Sequence, residues 1–256
     1  MIPNNKTVFI TGASSGIGKA CAEKFAKEGW NLILTGRRNN RLLSLQQEIK
    51  ATYAVEVLTL NFDVQDKAAV FQNINNLPEQ WQQVNLLINN AGLAAGKDPF
   101  DEALMDDWET MLNTNVHGLL YVTRALLPLL KKTKPAHIVN IGSIAGKEVY
   151  ENGNVYCASK FAVDALSKAM RIDLLKHGIK VTAVHPGAVE TEFSLVRFKG
   201  NQAKADATYD NYKPLGAVDV AESIYYCASL PGHVCINDLV ITCVSQAGAH
   251  YLHKSS

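Results

Sequence analysis

The chain has 256 residues, of which 47% are hydrophobic and 19% are charged. That length fits one compact α/β domain, and the apolar fraction is high enough to form a buried core, which argues against disorder. With 25 basic and 24 acidic side chains the net charge is +1, so bulk electrostatic attraction to nucleic acid or anionic lipid is not expected.

The sequence shows no sign of a membrane span or of export. It has no run of 18 apolar residues, and segment 1–9 lacks the ordered zones of a signal peptide. The five cysteines are odd in number and none stands in a CxxC pair. Cys235 and Cys243 could share a strand region, but buried thiols are the preferred interpretation. We therefore expect a reducing, cytoplasmic location, with neither nucleic acid nor membrane as a partner.

Short apolar runs alternate with longer amphipathic segments along the whole chain. Predicted strands occupy 7–11, 31–35, 55–60, 84–89, 137–142, 180–185 and 238–242. Predicted helices occupy 16–28, 41–52, 67–76, 105–132, 155–177 and 218–229. Continuous apolar strands are typical of a sheet covered on both faces, and the alternation favours parallel strands with right-handed crossovers. The prediction is an α/β fold with about seven parallel strands and helices on both faces.

A glycine-rich turn follows the first predicted strand and opens directly into the first helix. It reads TGASSGIG over 11–18. Glycines there permit a tight turn and close approach of the backbone to a pyrophosphate, while the helix N-terminus adds free N–H groups. A lone glycine triplet is weak evidence, but the strand, turn and helix together favour a dinucleotide site. The predicted contacts are Gly12, Ser14, Ser15, Gly16, Ile17 and Gly18.

Two arginines, rather than an acidic residue, stand at the end of the second predicted strand. An Asp or Glu there would bind a ribose 2′-hydroxyl of NAD, whereas this sequence has Arg37 and Arg38 after Gly36. Paired guanidiniums suit the 2′-phosphate of NADP, to which Ser14 could add a hydroxyl contact. The alternative is a pair of solvated arginines. The sequence therefore predicts NADP rather than NAD.

Asp63 follows the third predicted strand. A carboxylate at this edge of the sheet can reach the amino group of an adenine. It can equally cap the helix that follows. The residues alone leave both interpretations open.

A serine, a tyrosine and a lysine form the candidate reaction centre. Ser143 follows the fifth predicted strand, and Tyr156 and Lys160 lie four residues apart at the start of a long helix, on one face of it. An ammonium beside a phenol favours phenolate and lowers the tyrosine pKa, as a general acid/base near neutrality requires. A hydroxyl at the end of a strand can stabilise charge on a substrate oxygen. On spacing alone, an ordinary surface pair of Tyr and Lys remains an alternative.

The stretch 187–215 shows no clear periodicity. A loop of that length in a compact domain is usually a lid or a binding loop, and we predict a substrate lid there. A surface insertion is the alternative.

Together these motifs resemble the short-chain dehydrogenase/reductase family over essentially the whole chain. Segment 11–18 matches the family's TGxxxGxG turn, segment 89–92 its NNAG motif, and Pro186-Gly187 its nicotinamide-side turn. The family's catalytic positions fall on Asn115, Ser143, Tyr156 and Lys160. The resemblance implies a single doubly wound Rossmann-type domain over 1–256 that binds NADP(H). It also implies hydride transfer between the nicotinamide and a carbinol or carbonyl carbon.

The resemblance assigns a role to each catalytic position. Tyr156 would exchange the proton on the substrate oxygen, and Ser143 would orient that oxygen. Lys160 would bind the nicotinamide ribose and lower the tyrosine pKa, while Asn115 would hold a water in a proton relay through Lys160. Tyr156 and Lys160 thus also count as cofactor contacts. Further implied contacts are Asp63 at the adenine, Asn90 at a ribose, and Ala91, Gly92, Pro186, Gly187, Val189 and Thr191.

Segments 107–111, 152–156, 191–200 and 230–231 are similar to the NADP-dependent 3-hydroxy acid dehydrogenases, which act on serine, allo-threonine or malonic semialdehyde. Such substrates carry a carboxylate, so the site needs a cation near the reacting carbon. Arg197 is the candidate, beside Ser143 and Tyr156 as substrate contacts. Lys199 is the second choice, and Arg197 could instead anchor the loop or a subunit contact. Asn201 stands where relatives are expected to be acidic, so the lid tip is expected to differ.

Three other functions remain open at this point. One is a reductase of a bulkier carbonyl, such as a 3-oxoacyl thioester, steroid or aldehyde. Another is an epimerase or dehydratase that recycles its cofactor. The third is a non-catalytic NADP-sensing protein, against which the intact Tyr156 and Lys160 argue. The resemblance further implies a homotetramer or homodimer, and the seven histidines show no metal-ligand spacing, so no metal is predicted.

Overall fold

The computed structural model describes residues 6–255 and is built on a parallel sheet. Its strands are β1 (Thr7–Ile10), β2 (Asn31–Gly36), β3 (Val57–Asn61), β4 (Leu86–Asn89), β5 (Ala136–Ile141), β6 (Ile179–Pro186), β7 (Val189–Glu190), β8 (Leu215–Gly216) and β9 (Asp238–Ile241). Seven of them form one sheet in the order β3-β2-β1-β4-β5-β6-β9. Every pairing in that sheet is parallel, as the sequence predicts.

Helices cover both faces of this sheet. They are α1 (Gly16–Lys27), α2 (Asn39–Thr52), α3 (Lys67–Asn75), α4 (Met105–Leu112), α5 (Leu119–Lys132), α6 (Asn154–Asp173), α7 (Phe193–Arg197), α8 (Gln202–Asp206) and α9 (Ala217–Ser229). Successive side chains of a strand point to opposite faces. Val8 and Ile10 of β1 accordingly join the core under α1, α2 and α9, while Phe9 joins the core under α3 and α5. The predicted doubly covered α/β fold is confirmed.

The order of the strands creates a crevice beside β1. The chain runs from β1 to β2 and β3 on one side and then returns to β4 on the other. Connections leave in opposite directions at such a switch point, so a ligand can bind outside the carboxyl ends of the strands. The glycine turn, Arg37, Asn90 and Ser143 all follow strands at this edge.

The helix predicted over 105–132 is interrupted. Between α4 and α5 lies a π-helical turn, Asn113–Gly118, which widens the helix by one residue at this point. At Gly118 an added Cβ would lie 2.7 Å from Cγ2 of Val64, so the close packing of this turn requires glycine. The apolar periodicity continues through the turn and therefore gave no sign of it. The helix predicted over 155–177 likewise ends early, at α6, followed by a 3₁₀ turn Leu175–His177.

The predicted lid, 187–215, contains regular structure. The short strand β7 pairs in parallel with β8, and α7 and α8 lie between them along the chain. These elements have two to five residues each, which is too short to produce a periodic pattern in the sequence.

The chain ends lie partly outside the described residues. Residues 1–5 and 256 lie outside the described part of the chain. Of the predicted domain 1–256 the structure therefore describes 6–255, and of segment 1–9 it describes 6–9. Near the C-terminus Gln246 and Leu252 form an isolated antiparallel bridge. Within residues 6–255, no helix is both long enough and apolar enough to cross a membrane.

Candidate active site

A cavity of about 300 Å³ opens at the carboxyl edge of the sheet. The predicted site residues that line it are Gly12, Ser14, Ser15, Gly16, Ile17, Arg37, Arg38, Asp63, Asn90, Ala91, Gly92, Ser143, Tyr156, Lys160, Pro186, Gly187, Val189 and Thr191. Gly18, Asn115 and Arg197 lie outside this lining. The loops after six strands thus bring nearly all the predicted residues to one place.

The glycine turn has the backbone geometry that its sequence predicts. Gly12 and Gly16 have φ of +65° and +52°, a region that side chains other than glycine rarely adopt. At Gly18 a Cβ would collide with the carbonyl oxygen of Gly12 and with the Asn90 amide, so the helix packs directly on the turn. Ser15 at the N-cap of α1 makes no capping hydrogen bond. The first N–H groups of α1 are therefore suited to bind an anion.

Asn90 holds the same turn from β4. Its Nδ2 donates to the carbonyl oxygens of Thr11 at 2.9 Å and Gly12 at 3.2 Å. The amide implied to contact a ribose is thus engaged with the backbone, so a ribose contact would have to use the Oδ1 or main-chain atoms of Asn90. The structure adds a positioning role that the sequence did not reveal.

All three nitrogens of the Arg38 guanidinium donate hydrogen bonds. Nε donates to Oγ of Ser14 at 3.2 Å, Nη2 to Oγ of Ser15 at 2.5 Å and Nη1 to Glu192 at 2.8 Å. Arg41 contacts the other oxygen of Glu192 at 2.7 Å. Hydrogen bonds from both arginines hold the pKa of Glu192 below its ordinary value. Arg38 is therefore not the solvated arginine of the alternative interpretation.

Asp63 faces Arg37 across the cavity rim. Its Oδ2 lies 3.6 Å from Nη1 of Arg37, and its Oδ1 accepts from the backbone N–H of Gln65 at 3.0 Å. The following helix, α3, is instead capped by Asp66, whose side chain accepts from Ala69 N. The interpretation of Asp63 as the helix cap is therefore wrong, and its place in the cavity lining leaves the adenine contact as a prediction.

The three residues of the candidate reaction centre come together. Tyr156 and Lys160 are buried on α6, and Nζ of Lys160 lies 5.9 Å from the centroid of the Tyr156 ring. Lys160 donates to the carbonyl oxygen of Ile141 at 2.9 Å, which fixes its ammonium at the end of β5. Ser143, also buried, caps the next turn by accepting from Ala145 N at 3.1 Å. A phenol, a hydroxyl and an ammonium thus line one wall of the cavity.

The pKa of Tyr156 differs from its predicted direction. Burial raises the pKa of its phenol above the ordinary value, while the charge of Arg197 and a hydrogen bond with Ser143 act in the opposite direction. Burial also lowers the pKa of Lys160 to about 8. The predicted net lowering of the Tyr156 pKa is therefore wrong, because desolvation of the phenolate outweighs the nearby charges.

Asn115 lies in the π-helical turn, behind the cavity. Its Nδ2 donates to Leu93 O at 2.8 Å and to Ser159 Oγ at 3.0 Å, and its Oδ1 accepts from Leu93 N at 2.9 Å. The side chain thus fastens α6 and the loop after β4 to the turn. Since the amide is engaged, a water in the predicted relay would have to bind main-chain atoms of the turn.

Arg197 lies at the back of an aromatic cluster beside Tyr156. Its guanidinium carbon is 4.8 Å from the Tyr156 ring centroid and 5.2 Å from that of Phe193, and Nη2 donates to the Tyr150 hydroxyl at 2.7 Å. Among the described residues, its buried Nε has no hydrogen-bond partner. The structure thus brings a cation with an unused donor next to the phenol.

Lys199, the second choice for this role, is engaged elsewhere. Its ammonium lies 2.8 Å from a carboxylate oxygen of Asp107 on α4. Its φ of +51° places it in the tight turn that ends α7. Of the two candidates, only Arg197 is beside Tyr156.

The sequence analysis missed several residues around the cavity, and three of them bear on its chemistry. Glu192 and Phe193 line the cavity, and Tyr150 bonds Arg197. Glu192 directly follows Thr191 in the predicted lid and could have been noticed as a carboxylate there. The contact of Tyr150 with Arg197 joins residues 47 positions apart, and no local pattern in the sequence indicates it.

A polar cluster lies behind Ser143. Nδ1 of His185 is 3.2 Å from the carbonyl oxygen of Ser143, and its Nε2 is 3.0 Å from Asp238 and 3.6 Å from Asp164. The three groups are close enough to offer ligands to a metal. Both carboxylates, however, already have basic partners. Lys147 contacts Asp164 at 2.9 Å and Asp238 at 2.6 Å, and Lys168 contacts the other oxygen of Asp164 at 2.7 Å.

A family model described as short chain dehydrogenase matches residues 6–201. Sulfoacetaldehyde reductase 2 of Chromohalobacter salexigens is 48% identical over 241 residues, which cover 94% of this chain and 95% of that protein. The NADP-dependent 3-hydroxy acid dehydrogenase YdfG of Salmonella typhi is 44% identical over 250 residues, with coverage of 97% and 99%.

Solved structures show the same similarity. The closed form of a serine dehydrogenase complexed with NADP+ has a TM-score of 0.90 and 41% sequence identity, covering 97% of this chain and all of the other. Serine dehydrogenase from Escherichia coli has a TM-score of 0.79 and 36% identity, with coverage of 94% and 99%.

Proposed function

The chain belongs to the short chain dehydrogenase family, and we propose that it is an NADP-dependent oxidoreductase of small 3-hydroxy acids. The bound nicotinamide would supply or accept a hydride at the carbinol carbon of the substrate. The observation that carries the substrate class is the position of Arg197, whose guanidinium lies 4.8 Å from the ring of Tyr156. A substrate bound at the phenol would have its carboxylate within reach of this cation.

The other residues of the site have separate roles in the proposed reaction. Tyr156 exchanges the proton on the substrate oxygen, and Ser143 orients that oxygen and stabilises charge on it. Lys160, fixed by Ile141 O at 2.9 Å, binds the nicotinamide ribose. Asn115 holds the π-helical turn in place behind these residues. Because its side-chain amide is engaged, a relay water would bind to main-chain atoms of that turn. Apolar rings around Arg197 exclude water and strengthen its attraction for an anion.

Cofactor binding is supported by the fit of the cavity to a dinucleotide. Gly12 and Gly16 let the backbone approach a pyrophosphate, and the N-terminus of α1 faces it. Arg37 and Arg38 stand where the ribose 2′-substituent would lie, with Ser14 and Asp63 beside them. The NADP named for the 3-hydroxy acid dehydrogenase and for the serine dehydrogenase complex supports the same choice of cofactor.

Reversing the charge of Arg37 should reduce the use of NADP selectively. Arg37→Asp should lower kcat/KM for NADPH by roughly tenfold to a hundredfold, because one charge-assisted hydrogen bond to the 2′-phosphate is lost. The value for NADH should fall little or rise. Lys50→Asp, which changes an exposed basic side chain paired with Glu56, is the matched control. Equal losses with both cofactors would contradict the assignment of Arg37.

The two directions of the reaction should respond differently to pH. Burial keeps the pKa of Tyr156 above its ordinary value, so the phenol is protonated near neutrality and suited to donate its proton in reduction. Oxidation requires the deprotonated form, so its kcat/KM should rise as pH increases from about 7 to about 10, while that of reduction should not rise. Initial rates in both directions across this range provide the test, and an oxidation rate independent of pH would contradict it.

The substrate class is tested by following NADPH formation at alkaline pH. The panel is serine, allo-threonine, 3-hydroxypropionate and 3-hydroxyisobutyrate, with a steroid alcohol, a 3-hydroxyacyl thioester and simple alcohols as alternatives. The proposal requires the highest kcat/KM among the acids. A preference for the bulky substrates would favour a reductase of larger carbonyls, and no turnover with any of them would favour a recycling enzyme or a binding protein.

A small hydroxysulfonate is a second candidate substrate. The observation that favours it is the 48% identity with a sulfoacetaldehyde reductase over nearly the whole chain. Sulfoacetaldehyde and malonic semialdehyde both place an anionic group one methylene from the carbonyl carbon, so the same arginine can serve both. Adding sulfoacetaldehyde and isethionate to the panel distinguishes the two, since the better substrate will show the higher kcat/KM.

We also propose a homotetramer or homodimer, a cytoplasmic location and a lid role for 187–215. Ile172 on α6 and Leu175 after it are each 75% exposed, and Met105 on α4 is 61% exposed. A partner subunit packed on these helices would remove these apolar side chains from water, which supports the proposed assembly. Light scattering measures the oligomeric state directly.

All five cysteines are free thiols, which fits the reducing compartment of the proposed cytoplasmic location.

A further inference from the structure

Glu192 makes ion pairs with two arginines beside the cofactor cavity. Its two carboxylate oxygens lie 2.8 Å from Nη1 of Arg38 and 2.7 Å from Nη1 of Arg41. Arg38 in turn donates to Ser14 and Ser15 of the glycine turn. The carboxylate thus ties the segment after β6 to the segment after β2, which is 154 positions away in the sequence.

This contact bridges a long stretch of the sheet edge. Strands β1, β4 and β5 lie between β2 and β6, which corresponds to about 19 Å at the usual strand spacing. The neighbouring Thr191 lies over the glycine turn, with its Cβ 3.4 Å from where a Cβ of Gly16 would be. Arg38 and Glu192 both line the cavity. A dinucleotide that extends along this edge would therefore lie beside the Arg38–Glu192 bridge.

We propose that Glu192 is a cofactor-retaining residue, which closes the cavity over NADP(H) through Arg38 and Arg41 and so sets the rate of cofactor release. The inference rests on the dinucleotide binding proposed above. Five guanidinium N–H groups allow Arg38 to keep Glu192 on Nη1 while other N–H groups remain for a phosphate. Glu192 and both arginines are each about 40% exposed or slightly more, so each pair is of moderate strength and can open reversibly.

The test measures the release of reduced cofactor from the intact protein. NADPH bound to the enzyme is displaced by excess NADP+ in a stopped-flow fluorimeter, and the decay of its fluorescence gives the release rate. Glu192→Gln keeps the size of the side chain but removes its charge. We expect this variant to release NADPH about three- to tenfold faster than wild type. NADH should show the same acceleration, because the bridge does not depend on the 2′-phosphate.

Two further variants make the result specific. Glu190→Gln changes an exposed carboxylate on β7, two residues away, and should release NADPH at the wild-type rate. Arg41 pairs with Glu192 but does not line the cavity. Arg41→Gln removes only this one of the two ion pairs, so its NADPH release rate should lie between those of wild type and Glu192→Gln. Thermal unfolding verifies that each variant is folded.

Several outcomes would overturn the proposal. They are an unchanged release rate in Glu192→Gln, an equal acceleration in Glu190→Gln, or an effect confined to NADPH. The last result would assign Glu192 to the 2′-phosphate site instead. Failure of wild type to bind NADPH at all would refute the proposed function itself, and this outcome is distinguishable because it appears before any variant is compared.

Discussion

Replacing Tyr156 by phenylalanine should lower kcat by about a thousandfold, which is the usual size of a general acid/base contribution. The variant loses the only atom with which this side chain can exchange a proton and keeps its ring. The ring packs 5.7 Å from that of Phe193 and lies under the guanidinium of Arg197, so the cluster should remain intact. Single-turnover measurements with NADPH and malonic semialdehyde give the rate of the chemical step directly.

Cofactor binding is the control for this variant. The dissociation constant of NADPH, measured by fluorescence, should stay within about twofold of the wild-type value, because Lys160 and the glycine turn are unchanged. Tyr150→Phe removes a hydroxyl from the same cluster, one that accepts from Arg197 at 2.7 Å. It should raise KM for the acid while retaining most of kcat. If Tyr156→Phe kept a tenth or more of wild-type turnover, the proton would have to come from another group.

Replacing Arg197 by alanine should raise KM for serine and 3-hydroxypropionate by about a hundredfold, because a partly buried ion pair with the substrate is lost. The unused Nε of Arg197 and its surroundings of Tyr150, Tyr156 and Phe193 make this cation a specific partner for a small anion. An uncharged alcohol makes no such pair, so its kcat/KM should change by less than about threefold. Steady-state kinetics with both substrates measure the difference.

Lys199→Ala is the matched control for Arg197→Ala. Lys199 belongs to the same turn but pairs with Asp107 at 2.8 Å, so its loss should leave KM for the acids nearly unchanged. Equal effects of Arg197→Ala on charged and uncharged substrates would mean that the arginine anchors the loop. A selective effect of Lys199→Ala on the acids would transfer the role to the lysine.

The sequence predicted the fold well because burial leaves a strong local signal. Strands such as β5 are buried at every position, and they appear in the sequence as mostly apolar runs. Their connections to amphipathic helices then limit the topology to a parallel sheet. The π-helical turn at Asn113–Gly118 was missed, since it arises from the tertiary packing of Gly118 against Val64 and leaves the apolar periodicity unchanged.

The site was predicted as far as its residues lie in recognisable motifs. The glycine turn, Arg37 and the Tyr156–Lys160 pair were found in this way, and the structure brings them to one cavity. The direction of the Tyr156 pKa was predicted wrongly, because spacing reveals a neighbouring charge but not the depth of burial that opposes it. Tyr156 is in fact almost inaccessible to solvent.

Contacts between distant segments could not be predicted. Glu192 meets Arg38 and Arg41 across more than half of the chain, and Tyr150 meets Arg197 from a different element. These pairs depend on how the segment after β6 folds back over the sheet edge. Without homologous sequences that vary together, one sequence carries no signal for such a fold.

The central claim is that the enzyme selects a substrate whose anionic group lies one methylene from the reacting carbinol carbon. The most direct measurement compares kcat/KM for 3-hydroxypropionate with that for 1-propanol, both with NADP+ and wild-type protein. The two molecules have the same number of carbons and the same hydroxyl position, and they differ in the carboxylate. We expect 3-hydroxypropionate to be favoured by about a hundredfold or more, as the pairing with Arg197 requires. Equal values, or a preference for 1-propanol, would contradict the account.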